Sequence, residues 1–123
     1  MTSDVPDSAA IAEAIVAAAG DGLIAVDETG TVVAFNPAAA AMFGRDPGEM
    51  IGKPLESLFV PDMIVAHQRY VSDYFHGRGR GVVGSTLETV GQHSSGRAVP
   101  IEISLTATSV GPRGLVVASI RDI

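Results

Sequence analysis

The 123-residue chain contains no cysteine. That absence removes disulfides, thiolate metal sites, iron–sulfur clusters, thiol catalysis and flavin–cysteine photochemistry together. Basic residues are also scarce. Eight Lys and Arg against fourteen Asp and Glu leave a formal charge of −6, the wrong sign for gripping a phosphate backbone, so no direct nucleic-acid binding is expected. No apolar run reaches the roughly 18 residues of a spanning helix. The opening Met1-Thr2-Ser3-Asp4-Val5-Pro6-Asp7 lacks the basic residues of an export signal. The expectation is a piece with no membrane segment and a cytoplasmic location. Phosphate-loop, His-Glu-x-x-His and nucleophile-plus-base patterns are missing as well, so the domain is not expected to be an enzyme. What is present is a globular composition, 46% hydrophobic and 18% charged, at the size of one domain.

Residues 1–20 are alanine-rich, with Ile11, Ile15 and Ala19 four apart, Asp7 or Ser8 available as N-cap and Gly20 past the end. This segment reads as a helical cap on the domain or as a dimerisation helix. From Gly22 the period changes. Leu23–Asp27 and Thr31–Phe35 are apolar runs joined by Glu28-Thr29-Gly30, a β-hairpin pattern. Asn36-Pro37 opens a short helix that Gly44 closes, and Asp46-Pro47 repeats the cap-then-proline device. Pro61 opens a longer helical segment to about Phe75, and a glycine-rich loop (Gly77, Gly79, Gly81, Gly84) follows. Three strands close the chain: Val82–Gln92, Arg97–Thr108 and Leu115–Ile120, with turns at His93–Gly96 and Gly111–Gly114. In the middle strand Val99, Ile101, Ile103 and Leu105 alternate with Glu102, Ser104 and Thr106. The fold class is α+β: a five-stranded antiparallel sheet with short helices and one longer helix on one face.

On the longer helix, Met63, His67, Tyr70 and Tyr74 fall in line on one face. His67 therefore points with the apolar residues. It reads either as a core imidazole satisfied by hydrogen bonds or as a metal ligand lining a cavity against the sheet.

The order of elements and the words Gly22–Asp27, Val33-Ala34-Phe35-Asn36-Pro37-Ala38-Ala39, Met50-Ile51-Gly52-Lys53-Pro54, Ser95–Glu102 and Ile120-Arg121-Asp122-Ile123 resemble a PAS domain from about Ile11 to Ile123. The resemblance implies the PAS fold in residues 21–123, a bound small molecule or gas, a homodimer, and an output domain in the same chain. Within PAS domains, Ala66–Tyr74 with Gly81–Gly84 and Val90–Gln92 is similar to the haem sensor of FixL-type proteins. That likeness implies haem b ligated by His67, with Val82, Ile103 and Leu105 facing bound gas and an open sixth position. Two positions depart from it. The arginine that holds bound oxygen corresponds to Leu87, and the arginine that meets a propionate corresponds to Asp73; Arg69, Arg78 and Arg80 are the nearby basic residues.

Three functions follow: a haem-based gas or redox sensor, a sensor of another small apolar molecule, and a ligand-free dimerisation or interaction module. A two-component kinase or a transcriptional regulator is the expected parent.

Overall fold

The structure, a computed structural model, describes residues 7–58 and 86–123. The longer helix from Pro61, the glycine loop and the start of the strand expected at Val82 lie outside the described residues.

Three short helices form where local capping chemistry dictates. Helix α1 (Ser8–Ala18) is capped by Asp7, whose Oδ1 accepts from Ala10 N at 2.8 Å. Helix α2 (Pro37–Phe43) starts from Asn36 with proline in its first turn, and ends at Gly44 in the left-handed region, φ 62°, where an L side chain is strained. Helix α3 (Pro47–Met50) is capped by Asp46, and a single 3-10 turn follows at Leu55–Leu58.

The described strands are β1 (Gly22–Asp27), β2 (Val32–Phe35), β3 (Thr86–Gln92), β4 (Ala98–Val110) and β5 (Arg113–Asp122). They form one antiparallel sheet in the order β2-β1-β5-β4-β3. The last hairpin is tighter than expected: β4 runs on to Val110 and β5 already begins at Arg113, so Gly111 and Pro112 alone make the turn. A register shift between β1 and β2 skips Val33. The extra residue lets Val32 and Phe35, three apart, both enter the core while Val33 stays exposed. The outer edge of β2 is covered by the chain after α3: Val32 N donates to Lys53 O, and Gly52 N to Val32 O.

One face of the sheet carries the core. Ile24 and Val26 of β1, Val116, Ala118 and Ile120 of β5, and Val99, Ile101 and Ile103 of β4 pack with Phe35, Phe43, Met50, Leu55 and Leu58. The alternation read along β4 is the alternation found: Val99, Ile101 and Ile103 are buried, Leu105 is partly buried against the same core, and Ser104 and Thr106 are exposed. A tight contact lies between β3 and α2, where a Cβ on Gly91 would sit 2.5 Å from Phe43 Cε1. Only glycine admits the ring at that distance.

Candidate functional site

The core face of β4 is closed at one end and open towards the other. Val99 is 3% exposed and Ile101 is fully enclosed, in the core cluster that also holds Phe43 and Leu58. Two residues on, Ile103 is 8% exposed, and Leu105 is only partly covered. Ile103 lies between Leu87 of β3 and Ile120 of β5 in the register, and Leu105 lies beside Ala118. The end of the sheet around Ile103 and Leu105 is thus an aliphatic wall, with Ala118 beside Leu105.

Two expected site residues, Ile103 and Leu105, stand together on that wall. Leu87 occupies the β3 position opposite Ile103 in the register. Met63, His67, Tyr70, Tyr74 and Val82 lie outside the described residues, as do Arg69, Asp73, Arg78 and Arg80. Among the described residues no group of three His, Asp or Glu side chains is arranged to hold a metal ion.

Three polar arrangements went unread in the sequence. Asp27, at the end of β1, is 7% exposed. Its Oδ1 accepts from Thr29 Oγ1 at 2.6 Å, Thr29 N at 2.9 Å and Thr31 N at 3.1 Å, and its Oδ2 faces Arg113 Nη2 at 3.0 Å. Burial pushes this carboxyl up, but the Thr29 and Thr31 hydrogen bonds and the Arg113 charge outweigh it and hold the carboxyl below its usual range. The Asp27-x-Thr29 spacing is an Asx-turn signal that was available; the Arg113 partner, 86 residues away, was not.

The second is Asn36. Besides capping α2 through Ala39 N, it accepts from Leu23 N and donates to Val16 O and Asp21 O, and it is 2% exposed. The third is His93. Although it stands in a turn, it is half-buried: its ring covers Gly44, its Nδ1 bonds Ser95, and Ser94 N donates to Phe43 O. The β3–β4 turn is in this way seated on the end of α2.

Comparison with known proteins agrees with this architecture. A family model described as the PAS fold matches residues 11–123. The PAS domain of an HTR-like protein from Haloarcula marismortui superposes with a TM-score of 0.76 at 19% identity, covering 94% of this chain and 92% of that one. The PAS domain of the Cronobacter turicensis RpfR quorum-sensing receptor, in complex with BDSF, superposes with a TM-score of 0.67 at 19% identity, covering 88% and 98%. The same receptor domain is also known in complex with C12:0. In sequence, the chain is 31% identical over 91 residues to the cell-division control histidine kinase PdhS of Brucella ovis and 29% identical over 104 residues to an uncharacterised protein of Azorhizobium caulinodans. Those stretches are 71% and 84% of this chain but only 8% and 14% of the two relatives. No helix among the described residues is long and apolar enough to cross a membrane. The chain belongs to the PAS-fold family.

Proposed function

We propose that this domain senses a small apolar ligand held against the β4 wall and passes the signal to an output domain, in the manner of a histidine-kinase sensor on the cytoplasmic side. The observation that carries the reading is the wall itself. Val99 and Ile101 are sealed, Ile103 is buried less completely and Leu105 beyond it is only partly covered, without a charged side chain among the inward positions of β4. An apolar surface with few polar groups selects ligands by shape and by burial of hydrocarbon. The ligand-bound Cronobacter receptor supports the class, since its domain has the same fold and binds BDSF and C12:0.

Titration with C12:0 tests this reading. At a hundred times the dissociation constant, a bound ligand stabilises the fold by about 2.7 kcal/mol. A rise in melting temperature that Ile103→Trp abolishes is the expected result. No shift with C12:0, or a shift that Ile103→Trp leaves intact, removes the β4 wall as the site for such a ligand.

A second reading, haem b ligated by His67, is favoured by the spacing of His67 and Tyr70 together with the aliphatic character of Ile103, Leu105 and Leu87. The wall suits a porphyrin face. Leu87, however, offers no donor to bound oxygen. When bound, haem supplies a gas-binding iron, and the chain supplies the imidazole and the apolar wall. Reconstitution with hemin is expected to give a Soret band that His67→Ala abolishes, and Leu87→Arg is expected to raise oxygen affinity relative to carbon monoxide. A Soret band that survives His67→Ala removes His67 as the ligand.

A further inference from the structure

Helix α1 buries none of its side chains: Ile15 is 64% exposed, and Ile11 and Val16 are each more than a third exposed. A helix of 11 residues without packing is marginal in water. Among the described residues, one hydrogen bond reaches α1 from the rest of the domain: Asn36 Nδ2 donates to Val16 O at 3.1 Å, in the last turn. The same nitrogen donates to Asp21 O at 3.0 Å, in the link to β1. The oxygen of the same carboxamide accepts from Leu23 N at 2.8 Å and from Ala39 N at 3.0 Å. A single buried side chain is therefore shared by α1, β1 and the first turn of α2, with four partners for its four hydrogen-bonding positions.

We propose that Asn36 is a latch: its carboxamide oxygen is fixed by β1 and α2, and its nitrogen holds the last turn of α1, so that α1 undocks when the first turn of α2 shifts. The amide plane is rigid. A displacement of Ala39 N or Leu23 N rotates the oxygen, and the nitrogen turns with it, away from Val16 O. The other end of α2 is seated on the sheet through Phe43 against Gly91 and through Ser94 N on Phe43 O, so a change at β3 acts on the same helix. The latch operates within one chain and does not depend on which ligand the domain takes.

The discriminating variants are Asn36→Asp, which keeps the capping oxygen and loses both donated bonds, and Asn36→Ser, which keeps a cap and cannot span to Val16. Amide exchange of the 15N-labelled domain, read by NMR, is the measurement. The lost bond to Val16 O, at the ordinary worth of one hydrogen bond, predicts a roughly 2- to 12-fold rise in exchange of the α1 amides, with β1 and β5 amides unchanged. Unchanged α1 exchange in a folded variant overturns the proposal. Should both variants fail to fold, the wild-type side chain still decides: slow exchange of the Asn36 side-chain NH2 supports the latch, and exchange at the rate of a free amide overturns it.

Discussion

Asp27 receives three hydrogen bonds and faces a guanidinium while almost wholly withdrawn from water. Arg113 is 58% exposed, so screening weakens its share and the two threonines carry most of the effect. The folded-state pKa lies below the ordinary 3.8. The stabilisation is therefore complete above the unfolded-state value and is lost as pH falls through the folded-state value. Asp27→Asn is expected to cost about 1–3 kcal/mol at pH 7, since Thr29 and Thr31 then donate to a neutral group. Below about pH 4 the two proteins should converge in stability. Urea unfolding at pH 7 and pH 3 checks this, and a constant difference between them would exclude Asp27 as a titrating contributor.

At the scale of the element, β4 carries the informative gradient. Ile101 is fully enclosed, so Ile101→Ala is expected to cost 2–5 kcal/mol in the usual range for a buried isoleucine. Leu105 is only partly covered, and Leu105→Ala should cost less than about 2 kcal/mol. Equilibrium unfolding of the pair measures the difference, and equal costs would mean that the wall is as sealed at Leu105 as at Ile101. This gradient also marks what could be read in the sequence. Period-two alternation named the inward residues of β4, because burial on one face imposes it. Asn36-Pro37, Asp46-Pro47 and Gly44 were legible because caps are local chemistry. Alternation does not say how deeply each inward residue is covered, since that depends on which distant elements pack over the sheet. The Val33 bulge was hidden because a run of apolar residues has no period. The donors of Asn36 reach 15 and 20 residues back, and Arg113 reaches 86, distances at which no local signal operates. Of the candidate site, Ile103 and Leu105 were legible as inward positions of β4, and that is where they lie.

At the scale of the whole molecule, α1 is the conspicuous exposed apolar helix among the described residues. Burying Ile11 and Ile15 against a second copy would remove hydrocarbon from water at roughly 25 cal/mol per Å². Residues 1–20 are accordingly proposed as the dimerisation segment of a domain spanning residues 21–123. Sedimentation of the chain and of a form lacking residues 1–20 tests it: the full chain should associate and the shortened one should not, and equal association would exclude α1 as the contact. The pairing of Gly22 with Ile120 has a different consequence. Opposed residues in an antiparallel ladder are about 5 Å apart. The chain thus enters and leaves the sheet through a single port. In a long protein such a domain can be inserted or excised as a cassette, because the flanking segments need to bridge little more than one residue's reach to close the gap.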